Sequence, residues 1–224
     1  IYSKGGEFDG QLMGTYDNTS KLADGLQFPV GDYTYRIKAD GYTTVTGSFT
    51  VEAGKAVAVS EVMAVKTGWG GAEDVDTDWY TDNKDADTYT LKNESQLAGL
   101  AKLVNSQTST FAGKTIILAR DMDLEDNAWT PIGGYAMGTL KAFSGTFDGQ
   151  GHRIIIKNGE VKASESSFGV FGCLSKATVK NLTLQGRARV DYTDQSARFI
   201  MSYAGSLAGY ATSTKIEKCS SQLD

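Results

Sequence analysis

Histidine, cysteine and proline are nearly missing from this 224-residue chain, which holds 1, 2 and 2 of them respectively. One histidine and two distant cysteines, Cys173 and Cys219, cannot supply the four ligands of a zinc centre. So few cysteines fit a cytosolic protein, and fit equally an exported one that stabilises itself by stacking, so the count leaves the compartment open. No apolar run reaches the 18 residues of a membrane span. A basic stripe is also lacking: the net charge is −5 and the pI about 5.0, which argues against a nucleic-acid partner. Gly68-Trp69-Gly70-Gly71 lacks the lysine and the following helix of a phosphate-binding loop. There is no initiator methionine and no charged leader, so the chain reads as an excerpt of a longer protein, truncated at its C-terminus.

What is present points to a folded, β-rich protein. There are 26 glycines, 40% hydrophobic and 10% aromatic residues, and disorder would need lower hydrophobicity and higher net charge. The most informative stretch is 143–158. Phe143–Phe147 reads as a short alternating strand, Asp148-Gly149-Gln150-Gly151 as a turn and Ile154–Ile156 as a second strand. The turn glycines suit positive φ, and Asp148 suits a bond to its own backbone. After it the pattern recurs at an offset of 37 residues, placing Val170 on Leu207, Gly172 on Gly209, Leu174 on Ala211, Val179 on Ile216 and Leu182 on Cys219. Fixed-period similarity points to stacked units that bury their apolar faces on one another. Val179, Leu182 and Leu184 are expected to point into the core, with Ile216 and Cys219 one coil further on.

These residues resemble a family. Phe143–His152, Phe168–Leu184 and Gly205–Cys219 are similar to the GLUG-type repeats of bacterial surface proteins and adhesins, although Ser206 stands where the family tends to have glycine. Leu97–Val104 and Trp129–Gly133 resemble the lead-in to such repeats. The resemblance implies a right-handed parallel β-helix displayed outside the cell, extracellular or attached to the cell wall. Host glycans or matrix proteins would be its partners, and it implies no cofactor.

The N-terminal part reads differently. Turns at Pro29–Asp32 and Asp40-Gly41 bound Tyr33, Tyr35 and Ile37, which alternate with polar residues, and Tyr42–Val51 is a Thr-rich strand. Ala56–Val65 alternates valines and is expected as a further strand, as is Gln11–Tyr16 near the start. Short strands at this spacing suggest a sandwich. Phe28–Met63 resembles the PEGA-type or carboxypeptidase-regulatory-like β-sandwich, an Ig-like spacer. The expected organisation is a small β-sandwich over 1–66, an acidic linker over 67–88 and a capped parallel β-helix over 89–224. The linker's Glu73, Asp74, Asp76, Asp78, Asp82, Asp85 and Asp87 read as a solvated run or as an oxygen-rich calcium loop, but they do not complete the EF-hand spacing.

One helix stands out. Asn93 suits its N-cap, Gln96 closes a capping box, and Leu97, Leu100, Ala101 and Val104 share a face, giving a helix over 94–105. It either caps the open first coil, whose strand edges need cover, or packs on the side of a coil.

Catalytic residues are not assigned. A Ser-His-Asp site on His152 is formally possible, but no Gly-x-Ser-x-Gly elbow is present, and the resemblance places this histidine in a turn. Asp121 and Asp123 share a strand face at about 6–7 Å, a separation open to glycoside hydrolysis. Trp79, Tyr80, Trp129 and Tyr135 read either as a contact patch or as core. The expectation is a non-catalytic adhesion or glycan-recognition protein. A polysaccharide-active enzyme on the same fold and a purely structural stalk are the alternatives.

Overall fold

Short strands joined by single-residue corners dominate the computed structural model, which describes residues 1–4, 13–14, 26–39, 42–65, 68–71, 73–136, 139–160, 167–189 and 203–223. The protein is mainly β and divides into two compact units, Ile1–Thr67 and Gly68–Asp224.

In the first unit β1 (Tyr2–Lys4), β2 (Gly31–Ile37) and β3 (Val45–Val51) form one antiparallel sheet in that order. Tyr33 is its anchor. Its ring stacks on Phe49 at 5.4 Å, sits 5.2 Å from Phe28, and its hydroxyl donates to the Pro29 carbonyl at 2.8 Å. A buried tyrosine needs such a partner for its polar end. The described residues give a single three-stranded layer, and a second layer that would make a sandwich is not among them. Nor does Ala56–Val65 form the expected strand. Among the described residues its ladder contact is an isolated bridge from Val65 to Tyr42, and Val57, Val59, Val62 and Val65 are exposed. Alternation alone cannot make a strand without a partner edge. The expected strand at Gln11–Tyr16 falls almost wholly outside the described residues.

The second unit holds α1 (Asp78–Thr81), β4 (Thr88–Leu91), α2 (Glu94–Asn105), β5 (Thr115–Leu118), β6 (Met122–Asp123), β7 (Gly134–Ala136), β8 (Thr139–Lys141), β9 (Thr146–Asp148), β10 (Arg153–Glu160), β11 (Ser167–Phe168), β12 (Phe171–Ser175), β13 (Thr178–Lys180), β14 (Thr183–Arg189), β15 (Tyr203–Ala204), β16 (Ala208–Thr212), β17 (Lys215–Glu217) and β18 (Ser220–Leu223). Two of its sheets are parallel throughout: a five-stranded one in the order β17-β13-β9-β5-β4 and a four-stranded one in the order β18-β14-β10-β6. Shorter parallel pairs join β12 to β16 and β11 to β15, and β7 with β8 makes a hairpin. Partners in the last pairings stand 37 residues apart, as with Val179 and Ile216 or Thr183 and Ser220.

Parallel in-register pairing stacks like positions. Tyr89, Ile116, Phe147, Val179 and Ile216 form one inward column of the five-stranded sheet. The first four are buried, whereas Ile216, last in the column, is 50% exposed. Val179, Leu182 and Leu184 face inward as the alternation predicts, and Cys219 is partly buried against the same core. Corners between strands are made by single residues in the left-handed region, Lys176, Asn181, Ser213 and Lys218, at φ between 49° and 55°. At the turn after Phe147, that conformation belongs to Gln150 and Gly151, not to Gly149. Gly149 is needed for a different reason: a Cβ there would lie 2.5 Å from the carbonyl oxygen of Asn181 in the next coil. Gly172 has the same cause, with Gly133 O only 2.1 Å from where its Cβ would stand.

α2 forms where its local signals place it. Asn93 Oδ1 accepts the Gln96 N–H at 3.0 Å, while the return bond from Gln96 Oε1 goes to Lys92 N–H instead of Asn93. Its apolar stripe, Leu97, Leu100, Ala101 and Val104, lies in the same buried cluster as Leu91, Ile116 and Leu118. The described residues of the expected linker, 68–71 and 73–88, belong to the second unit. Trp69 and Tyr80 are buried in that cluster and Trp79 packs against it, so these apolar side chains tie the acidic run to the second unit.

Candidate functional site

The outward face of the four-stranded sheet gathers the polar side chains that the sequence offered for chemistry. Alternation along each strand sends Ile154 and Ile156 inward and leaves Arg153 and Lys157 outside, with Thr183, Gln185 and Arg187 on the next strand. Acidic residues beside one strand meet basic residues of the strand paired with it. Asp121 Oδ2 receives Arg153 Nη2 at 2.7 Å and Nε at 2.9 Å, and Oδ1 accepts the Arg153 backbone N–H at 3.0 Å. Asp123 is paired with Lys157 Nζ at 2.7 Å, and Asp148 with Lys180 Nζ at 3.2 Å. Arg153 also donates to Gln185 Oε1 at 3.0 Å, so one guanidinium bridges the coils on both sides of it.

These contacts bear on the two catalytic readings. A glycosidase needs one carboxylic acid held protonated by a raised pKa. Asp121 goes the other way: hydrogen bonds from Arg153, first from its side chain and then from its backbone, hold it below the ordinary carboxylate range. For Asp123 desolvation is the largest single influence and would raise it, but Lys157 and the Glu125 N–H together outweigh that and lower it. Asp148 is lowered likewise against its own desolvation, by Asn181, the Gln150 N–H and Lys180. His152 Nδ1 lies 3.3 Å from Asp121 Oδ1, its one described ring contact, but that carboxylate is committed to Arg153 on both oxygens. The geometry is that of a corner histidine in a surface ion-pair network.

Three carboxylates with lowered folded-state pKa values carry a sign for stability. Each contributes fully above the unfolded carboxylate pKa near 4, and the contribution is lost as pH falls through the lower folded value. Thermal melts between pH 7 and pH 2 should therefore hold steady down to about pH 5 and then drop steeply. Arg153→Gln should soften the drop, and a melting temperature unchanged below pH 4 would count against the network.

The other candidates are absorbed by the fold. Asp74 Oδ1 accepts Ser95 Oγ at 2.9 Å and Oδ2 the Gly70 N–H at 3.0 Å. Asp76 Oδ1 takes the Asp78 N–H and Oδ2 takes Gln96 Nε2. The start of the acidic run thus holds the first turn of α2. Among the described residues, no three His, Cys, Asp or Glu side chains are grouped to hold a metal. Tyr80 and Trp129 are core residues: Tyr80 packs edge-on against Phe111 at 5.3 Å, and Trp129 lies 6.0 Å from Trp69 and is buried. The side chain of Tyr135 lies outside the described residues. Burial raises the Cys173 thiol to about 11 and raises Cys219 too, which keeps both as inert thiols at neutral pH.

Sequence reasoning missed two polar residues at the ends of α2. Glu94 is buried; its Oε1 accepts the Asp123 N–H at 2.9 Å and its Oε2 accepts Arg120 Nη2 at 2.6 Å. Asn105 accepts the Gly133 N–H at 2.8 Å and donates to the Pro131 carbonyl at 2.9 Å. Since β6 is the edge strand of its sheet, Glu94 occupies the place of a missing strand's carbonyl. No helix of the described residues is long and apolar enough to cross a membrane. Compared with family models, curated proteins and solved structures, the chain matches none.

Proposed function

We propose that residues 68–224 form the capped start of a right-handed parallel β-helix that serves, outside the cell or on its wall, as a non-catalytic recognition module of a bacterial surface protein. The first unit is its spacer. The observation that carries this reading is the parallel pairing of both large sheets, in which like positions such as Ile116, Phe147 and Val179 stack in the core while their neighbours face outward. Such a scaffold presents a rigid polar face, some of whose side chains, Arg153 among them, also tie neighbouring strands together. Parallel crossovers are right-handed in nearly all folds, which sets the hand of the proposed coil. The Glu94 and Asn105 contacts support α2 as its end cap, because they supply hydrogen bonds that an absent preceding coil would have made. Resemblance to GLUG-type repeats supplies the adhesive role and the localisation.

The test is a glycan-array and host-matrix screen with the full chain, with and without calcium. Saturable binding that weakens in an Arg187→Ala variant, an exposed side chain on β14 outside the ion-pair network, with its folding checked by melting, is the expected result. A blank on every surface would leave a structural stalk, and turnover of any glycan in the panel would replace recognition with catalysis.

A further inference from the structure

The antiparallel sheet of the first unit has two unlike faces. Tyr33, Tyr35 and Phe49 turn to one side, where the two tyrosine rings lie 5.4 and 6.3 Å from that of Phe49. Alternation sends Tyr2, Lys4, Thr34, Arg36, Thr46 and Ser48 to the other, where they line a hollow of about 360 Å³. The register sets them in rows across the strands. Tyr2, Thr34 and Ser48 make the middle row, Arg36 and Thr46 flank it on one side, and Lys4 stands on the other beside Asp32. By strand rise the Cα atoms of Lys4 and Arg36 are about 14 Å apart. The Arg36 guanidinium lies 6.0 Å from the centre of the Tyr2 ring, a cation–π contact that draws the charge toward the middle row. Asp32 is the only carboxylate in the three strands, and its Oδ1 accepts Thr50 Oγ1 at 2.6 Å. Lys4, Arg36, Thr46 and Ser48 are exposed, and Tyr2 and Thr34 half-buried.

We propose that this hollow is a binding site of the first unit for a uronic-acid polysaccharide. Charge complementarity argues for an anionic occupant: in a chain of net charge −5, this face sets both cations of the sheet on the hollow and turns its one carboxylate to a threonine hydroxyl. The floor between the cations argues for a sugar chain. Hydroxyls of Thr34, Thr46 and Ser48 donate and accept as sugar hydroxyls do, and the Tyr2 ring offers an apolar flat to the C–H side of a pyranose. Cations so far apart call for a ligand that carries more than one anion and lies across all three rows. Carboxylate is the anion chosen because the planar fork of Arg36 matches a planar carboxylate with two parallel hydrogen bonds, a geometry a point charge does not supply. The spacer thereby acquires a ligand of its own. The proposal does not depend on what the outward faces of the second unit recognise.

The experiment is isothermal titration calorimetry of the full chain with hexagalacturonate, beside maltohexaose as the neutral chain and dextran sulfate as the sulfated one. Hexagalacturonate should bind saturably, more weakly as salt is raised, and maltohexaose should not bind. Arg36→Gln should weaken binding about tenfold and Lys4→Gln about threefold. Arg187→Ala, on the second unit, should leave it unchanged. Circular-dichroism melts check that the variants are folded, and Ser48→Ala with Thr46→Val, which touches no charge, should weaken binding independently of Arg36. No heat with hexagalacturonate, equal binding of maltohexaose, or preference for dextran sulfate would overturn the proposal. So would binding that survives a folded Arg36→Gln and is lost in Arg187→Ala, which would move the ligand to the second unit.

Discussion

Leu182→Asp is expected to unfold the second unit while leaving the antiparallel sheet of the first intact. Leu182 is 1% exposed and sits just beyond the Asn181 corner, so close to Gly149 of the preceding coil that a Cβ on that glycine would stand 3.0 Å from its Cα and Cβ. An aspartate there meets Val179 and Leu184 and has no cation within its own layer of the core. Unpaired burial of a carboxylate costs several kcal/mol even when the group takes up a proton, and the lost leucine packing adds about 2–5 kcal/mol. The sum is on the order of the whole stability of a domain. In a urea titration followed by tryptophan fluorescence, the transition reported by Trp69 and Trp129 should be absent, with those side chains already exposed at zero denaturant. Ile216→Asp is the matched control. It sits in the inward column at the half-exposed end, so its carboxylate stays hydrated and the cost should stay within about 1 kcal/mol. A Leu182→Asp variant that melts like the parent would mean that the inward face has been assigned the wrong way round.

The second large effect is expected at Glu94. Truncation to alanine leaves the Asp123 N–H without its acceptor at the edge of the described sheet, and removes one of three partners of Arg120, whose bonds to the Lys92 and Asp121 carbonyls remain. An unsatisfied buried donor costs about 1–3 kcal/mol, and losing an acidic residue from the first turn of α2 adds about 0.3–1 kcal/mol. The urea midpoint of the second unit should fall accordingly. Glu94→Gln keeps an acceptor for Asp123 and should recover about half of the loss, which separates edge satisfaction from simple packing. Asn105→Ala removes two hydrogen bonds at the far end of the same helix and should act additively with Glu94→Ala, since the two residues share no partner. If neither substitution changed stability, α2 would be an appendage and not an end cap.

What could be read from the sequence follows from how local its causes are. Helix α2 was legible because its N-cap Asn93 and its apolar stripe are local, whereas the return bond of Gln96 went to the Lys92 N–H and not to Asn93 as a capping box requires. The inward positions Val179, Leu182 and Leu184 were legible because alternation and the 37-residue offset agree on them. Ile216 has the same pattern yet is half exposed, because burial at that position depends on a strand stacked beyond it. Ala56–Val65 has a strand's alternation without a strand's partner. The ion pairs Asp121–Arg153 and Asp123–Lys157 join residues more than 30 apart and depend on register, although an acidic pair facing Arg-x-Ile-x-Lys one coil later was a usable sign. Glu94 and Asn105 looked like ordinary helix residues, since their partners lie 26 to 29 residues away. The aromatics misled because Tyr80 and Trp129 suit both a binding patch and a core, and only packing separates the two.

The stacked reading of the second unit depends on parallel pairing of neighbouring strands, at an offset of 37 residues between β14 and β18. Cysteine crosslinking tests that directly, in a chain whose native Cys173 and Cys219 are replaced by alanine. Gln185 and Gln222 are direct partners on β14 and β18 and face outward, at a separation a disulfide spans. The Gln185→Cys/Gln222→Cys pair should oxidise rapidly to an intramolecular disulfide in the folded chain. The slipped pair Gln185→Cys/Ser220→Cys should remain reduced. Equal oxidation of both pairs, or preference for the slipped one, would contradict the stacked register and, with it, the β-helix reading of the second unit.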